Sequence, residues 1–356
     1  MTNLIQEKEF KQQIGTKGNK QGFAVLITLL LLIVTLSTAC AYYAIQYHVL
    51  KNELAEVTSQ AIIVEEPEPE VEVEEPIEEV DERGELLDEI KSTMIDGSTT
   101  VAMLREIFED DIVFVDGEGY NFYAIDEDLP QHDYEDDNFI VNENGRIEYV
   151  VDGEVISKTG IDLARFQGDV NWEKVAADGI DFAIIRVGAR GYETGAMILD
   201  EQFHNNIQGA IDAGVEIGVY FYTQAISEEE AIEEATLVIT ELEDYKEYVT
   251  WPVVIDVEDP DWEGARTNEL TQEERTDYTI AFLDVVEAEG YEPMIYGNMK
   301  SFLKMLDMYR IGEYEKWYAN YNEKVYFPYE LTIWQYTDSG EVDGINTAVD
   351  MNIAFR

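Results

Sequence analysis

An α/β fold whose parallel sheet closes into an irregular barrel is predicted for residues 159–356, and three observations carry that reading. Strand-like runs at 160–163, 182–187, 215–222, 252–257, 293–296, 316–320 and 331–336 are separated, through the fifth, by helix-period stretches at 172–178, 202–213, 227–244 and 272–289, with a fifth stretch at 299–306. Pro252-Val-Val-Ile-Asp-Val257 is a short, nearly continuous run of β-branched residues, the pattern of a strand buried on both faces. The number of such units suggests closure into a barrel, and the last strands leave no room for helices between them. Two of the helices open on cap signals, Ser227-Glu-Glu-Glu230 and Thr271-Gln-Glu-Glu274.

The chain before the barrel reads as four segments. Residues 1–21 are polar and carry Lys8, Lys11, Lys17 and Lys20. Residues 22–45 are apolar and uncharged, long enough to span a bilayer, with Tyr42 and Tyr43 where an interfacial belt falls. A signal anchor over 22–47 is expected, its N-terminus cytoplasmic and everything after it outside. Residues 48–83 end in a Glu/Pro/Val tract, from Glu65 to Glu82, in which like charges and prolines favour a disordered acidic stalk. Extended, that tract reaches roughly 50–60 Å. Residues 84–158 read as a small α+β module: a helix capped by Ser98-Thr99-Thr100, then alternating segments at 112–115, 120–123 and 147–150 between Gly-containing turns. The acidic cluster from Asp133 to Asp137 lacks the glycine and terminal Glu of an EF-hand loop and reads as a solvated loop.

Composition removes several function classes. The 356 residues carry a formal net charge of −54, against a nucleic-acid partner and against docking on anionic lipid through the soluble part. The single cysteine, Cys40, lies inside the apolar run, and His48, His132 and His204 are far apart, so no disulfide, zinc spacing or Cys/His nucleophile pair arises. Neither a metal nor a cofactor is implied. Carboxylates, tyrosines and tryptophans remain as the available chemistry.

Barrel enzymes build their sites at the C-terminal ends of the strands. Those ends carry Asp162, Arg186, Tyr220 and Tyr222, Asp256 and Glu258, Tyr296, Asn320, and Trp334 with Gln335. Asp256 and Glu258 are two residues apart, so both carboxylates face one side if the strand continues that far. Paired acids at the mouth of a buried strand suit general acid/base work at a glycosidic bond; a capping Asp or a Ca²⁺ pair is the alternative. Aromatics beside carboxylates suit a sugar, whose ring faces stack while its hydroxyls take hydrogen bonds.

These residues resemble a known family. Gly160-Ile-Asp-Leu-Ala-Arg-Phe-Gln-Gly168 with Val170-Asn-Trp172, Phe182-Ala-Ile-Ile-Arg-Val-Gly188, the set Asp200, Phe203 and Asn206, Gly214-Val-Glu-Ile-Gly-Val-Tyr-Phe-Tyr222, Pro252-Val-Val-Ile-Asp-Val-Glu258, Ile333-Trp-Gln-Tyr336 and Gly344-Ile-Asn-Thr-Ala-Val-Asp-Met-Asn352 are similar, in order, to the motifs of glycoside hydrolase family 25, the Chalaropsis-type lysozymes. The resemblance implies a TIM-like (β/α)5(β)3 barrel and a muramidase that cleaves the β-1,4 bond between N-acetylmuramic acid and N-acetylglucosamine in peptidoglycan glycan strands. It implies Glu258 as general acid, Asp256 as the partner of the substrate's own 2-acetamido group, and Asp162 and Asp350 as the other acids of the groove. Two departures stand out: Arg165 and Phe166 replace smaller or polar residues, and the acidic loop over 259–270 is longer. An inactive glycan-binding barrel and a surface scaffold remain as rival readings, and oligomeric state is left open.

Overall fold

The structure, a computed structural model, describes residues 86–87, 90–92 and 99–356 except 261 and 323. The expected anchor and stalk lie outside the described residues, among which no helix is long and apolar enough to cross a membrane.

The barrel begins at β6 (Lys158–Leu163), after the shorter strands β1 (Asp111–Asp116), β2 (Gly119–Ala124), β3 (Phe139–Val141), β4 (Ile147–Val151) and β5 (Glu154–Val155). It continues through α2 (Trp172–Ala177), β7 (Phe182–Arg190), β8 (Met197–Leu199), α3 (Phe203–Ala213), β9 (Glu216–Tyr222), α4 (Glu228–Glu241), β10 (Val249–Asp256), α5 (Gln272–Ala288), β11 (Pro293–Asn298), α6 (Met308–Ile311), β12 (Glu315–Ala319), β13 (Ile333–Gly340) and β14 (Val349–Ala354). Strands β6, β7, β9, β10, β11, β12 and β13 pair in parallel, and β14 is antiparallel to both β13 and β6, which closes the eight-stranded barrel. An antiparallel closing strand brings its N-terminal end to the mouth where the other seven present their C-terminal ends.

Local chemistry sets the helix ends. Ser227 and Thr271 accept from the backbone N–H groups of Glu230 and Glu274, and Glu274 returns the bond to Thr271 N at 2.9 Å, a complete capping box. Gly214 ends α3 in the left-handed region, φ 76°, where a side chain would be strained. The expected helix over 299–306 is present, two α-helical residues at 299–300 widening into a π-helix at Ser301–Met305, and is followed by the one-turn α6.

Alternation divides each barrel strand between lumen and outer layer. Phe182, Ile184, Trp251, Val254, Met294, Trp317 and Ile333 fill the lumen, and Phe182 stacks on Trp251 at 3.8 Å and 9°. That stack needs the bare backbone of Gly160, where a Cβ would lie 2.2 Å from the Phe182 ring.

Residues 99–158, the described part of the small α+β module expected over 84–158, share one compact unit with the barrel. The helix α1 (Thr100–Ile107) starts where expected, capped by the Thr99 hydroxyl. Beyond it, Tyr134 stacks on Phe355 at 4.0 Å, Phe139 meets Trp334 edge-on at 5.5 Å, and Tyr149 packs edge-on against Phe355. The Tyr134 hydroxyl donates to Leu331 O, and Lys304 bridges Asp116 and Glu118. A fragment starting at residue 159 leaves Phe355 and Trp334 without these partners. We expect it to melt at lower temperature than the 99–356 fragment and to bind a hydrophobic dye when folded; equal melting temperatures would show the layer to be energetically separate.

Candidate active site

The mouth of the barrel collects the inward-facing ends of β6, β7, β9, β10, β11, β13 and β14. Asp162, on β6, is 5% exposed, and its Oδ2 accepts from Gln335 Nε2 and Asn352 Nδ2, both at 2.8 Å. Asp350 pairs in register with Asp162 across the antiparallel β14–β6 ladder. Asp256 ends β10 and is likewise 5% exposed. Assigned strand stops there, yet Val257 N donates to Tyr296 O at 3.0 Å, so the extended backbone carries Glu258 round to the same side as Asp256.

Four acids this close in a poorly solvated mouth disfavour one another's charge. Burial pushes Asp162 well above the usual carboxylate range, with Asp350 adding to the shift while the Asn352 and Gln335 amides oppose it. Burial also pushes Asp256 well up, followed by the charges of Glu258 and Asp162, with Arg186 opposing. Burial and then Asp350 raise Glu258 to about 7. Asp350 is raised by burial and by Asp338, against its hydrogen bond to Asp162. The four titrate as a group, each raised above its ordinary range, and carry fewer charges than sites near neutrality. Glu258, half-buried at the edge, can hold a proton near neutrality and still reach a substrate.

The remaining expected residues divide into three sets. Arg186 is at the mouth, but Asp200 holds it through Nε at 2.8 Å and a second nitrogen at 2.6 Å, and its guanidinium lies 4.9 Å from the Phe166 ring centroid. Tyr220, Tyr222, Tyr296 and Gln335 also converge there. The Tyr220 hydroxyl is raised by burial and by Asp162, Tyr222 by burial and by Asp256, and Tyr296 donates to Gln335 Oε1 at 3.0 Å. Trp334 is a correction. It is fully buried on the opposite face of β13, where its indole N–H donates to Asn320 O and its ring packs in the outer layer. Asn320 is also off the acid cluster: its backbone joins the ends of β12 and β13, and its side chain accepts from Asn322.

Three residues given no role from the sequence complete the site. Asn352 donates to Asp162 while accepting from Trp317 Nε1 at 2.7 Å. Asp200 is 3% exposed and also accepts from the Arg165 backbone N–H. Tyr321, half exposed on the rim, donates to Gln335 Oε1 at 3.0 Å. A polar residue two places after Asp350 in an otherwise apolar run was the available signal for Asn352; nothing marked Tyr321. Among the described residues, no group of three or more His, Cys, Asp or Glu side chains is arranged to hold a metal ion.

A barrel of parallel strands closed by one antiparallel strand, with raised carboxylic acids at its mouth, is suited to acid–base hydrolysis. Residues 161–345 match the family described as Glycosyl hydrolases family 25, and the chain belongs to that family. It is therefore a glycoside hydrolase. The uncharacterized protein YegX of Escherichia coli K12 is 30% identical over 203 residues, which cover 54% of this chain and 68% of YegX. Among solved structures, the modular autolysin LytC of Streptococcus pneumoniae, in complex with a synthetic peptidoglycan ligand, superposes with a TM-score of 0.51 at 21% identity. That match covers 69% of this chain and spans 57% of LytC, and it speaks for the fold.

The raised acid has a thermodynamic consequence. Glu258 ionises at about 7 when folded against an ordinary value of 4.5, so the native state holds the extra proton and stability falls as pH rises from 4.5 through 7. Glu258→Gln removes the charge with little change of shape. We expect the variant to melt a few degrees above wild type at pH 8, with the gap closing near pH 4.5; a pH-independent gap would mean that Glu258 is not strained by its charge.

Proposed function

We propose that the chain is an N-acetylmuramidase, cleaving the β-1,4 bond between N-acetylmuramic acid and N-acetylglucosamine in peptidoglycan. The observation that carries this reading is Glu258 raised to about 7 beside the buried Asp256. A carboxyl group held protonated near neutrality is what protonation of a glycosidic oxygen requires. Glu258 gives its proton to the leaving oxygen as the bond to the anomeric carbon lengthens. The acetamido oxygen of the same sugar closes on that carbon, and Asp256 takes up the positive charge that develops on the amide N–H. Water then opens the cyclic intermediate, with Glu258, now a carboxylate, accepting its proton. This is substrate-assisted chemistry, outside the usual two-carboxylate scheme. Asp350 acts through its field, helping to keep Glu258 protonated; Asp162 anchors the mouth through Gln335 and Asn352, and the tyrosines there supply ring faces and hydroxyls for the sugar.

Glu258→Gln should lower turnover by roughly 10²–10⁴-fold while glycan binding survives, and Asp256→Asn should be severe as well. The wild-type rate should fall as pH rises past about 7, where Glu258 loses its proton. Release of muramic-acid reducing ends from purified walls is the assay. Near-wild-type release by Glu258→Gln would remove the acid from Glu258, and activity in both variants would make the Asp256–Glu258 strand structural.

We further propose that the apolar run at 22–45 and the lysines before it retain the protein in the membrane, with the acidic tract carrying the barrel outward to the wall. Protease added to intact protoplasts should then release the catalytic domain; complete protection would overturn this topology.

A further inference from the structure

The two departures from the family pattern both end in exposed aromatics at the rim, and one of them forms a built surface. Trp262 is 51% exposed, on the acidic loop that follows Glu258, and Tyr192 is 45% exposed, on the turn that follows β7. Their ring centroids lie 6.3 Å apart at 58°. The two loops are tied together, since Arg266 N donates to Tyr192 O at 2.9 Å. Asn268 Nδ2 donates to Trp262 O at 2.8 Å, and Arg266 reaches Glu230 at 2.8 Å, so the indole is carried on a braced loop. Both strands that feed these loops flank β9, where Tyr222 stands in register with Ala189 on one side and with Asp256 on the other. The aromatic pair is therefore the continuation of the acid-lined mouth past Tyr222.

We propose that Trp262, backed by Tyr192, is a stacking platform for a pyranose ring of the glycan strand, one that lies outside the pair of sugars being cleaved. This rests on the glycan-cleaving reading above. Exposed indole surface on a soluble protein is costly unless it meets an apolar partner, and the apolar face of a sugar ring is such a partner. Glu263 follows the indole in sequence, so the platform disfavours the carboxylates of stem peptides and suits a neutral ring; Asp259, on the same loop, is paired with Lys300. The platform adds affinity for long strands without touching the reacting atoms, which is uniform binding rather than transition-state stabilisation.

Trp262 reports on itself. The other four tryptophans, Trp172, Trp251, Trp317 and Trp334, are between 0% and 6% exposed, so acrylamide-quenchable emission comes from Trp262. In the full chain carrying Glu258→Gln, peptide-free glycan strands should protect that emission from quenching. Adding Trp262→Ala should weaken strand binding by about tenfold, equivalent to about 1.4 kcal/mol, and Trp262→Phe should restore most of it. With Glu258 intact, Trp262→Ala should raise KM for long strands and leave kcat within about threefold. Unprotected emission, or an unchanged Kd in Trp262→Ala, overturns the platform. If the wild-type chain still releases reducing ends in that case, only the platform falls. If it neither cleaves nor binds the strands, the glycan reading falls and takes the platform with it.

Discussion

The rest of the structure depends on one buried carboxylate, Asp162, held by two amides from the strands that close the barrel. Burying an acid is costly unless its oxygens are met, and here Gln335 on β13 and Asn352 on β14 meet it at 2.8 Å each. Each amide is itself oriented by a donor on its oxygen, Trp317 for Asn352 and Tyr296 with Tyr321 for Gln335. The orientation leaves the NH₂ groups no choice but to face Asp162. A slip of one residue in β13 or β14 would turn Gln335 or Asn352 to the outer layer and strand the carboxylate. Closure of the barrel and assembly of the site are consequently one event, fixed by the same hydrogen bonds.

From that anchor the electrostatics spread outward in order of solvent access. Asp162 and Asp256 are almost fully covered and are pushed well up by burial, and Glu258 at the edge is raised to about 7. Arg186 is the cation that opposes the shift at Asp256, but its guanidinium is already committed to the buried Asp200. It tempers the cluster without neutralising it. A free arginine at that position would pull the acids down and cost the proton on Glu258. The ion pair with Asp200 is thus a means of supplying a fraction of a charge, and the mouth remains an electrostatically strained region whose strain serves proton transfer.

Most of the barrel was legible because its signals are local: β-branched runs, two helix caps, and Asp256 and Glu258 at the period of a strand. The errors come from information that is not local. Both faces of a barrel strand are apolar, so Ile333-Trp-Gln-Tyr336 does not say whether Trp334 or Gln335 faces the lumen. Register with β12 and β14 decides it in favour of Gln335. Asn352 needed the same register, although its spacing from Asp350 carried half of the message. The helix expected over 299–306 forms, but its π form at Ser301–Met305 has no signature in the composition. Alternation marks the module before the barrel but does not say whether it touches it; its aromatic residues, Tyr134, Phe139 and Tyr149, find partners at Trp334 and Phe355.

That last point explains why the chain carries this layer over residues 99–157 before the barrel starts. A parallel strand must be covered on both faces, and the helices α2 to α5 cover only the first half of the barrel. After β12 no helix of ordinary length follows, and the outer faces of β12, β13 and β14 would be open to water. Tyr318 on β12 is covered by Phe327, stacked at 4.7 Å. Trp334 on β13 is covered by Phe139, and Phe355 beyond β14 by Tyr134 and Tyr149. The segment is joined to the connection between β12 and β13 by backbone as well, through the bridge of Gln131 to Tyr329 and the bond from Glu330 N to Pro130 O. The irregularity of the barrel and the presence of the preceding layer are two sides of one arrangement. Strands β13 and β14, which have no helices outside them, are covered on their outer faces by rings from the N-terminal side of the chain, while their inner faces carry Gln335 and Asn352 to Asp162.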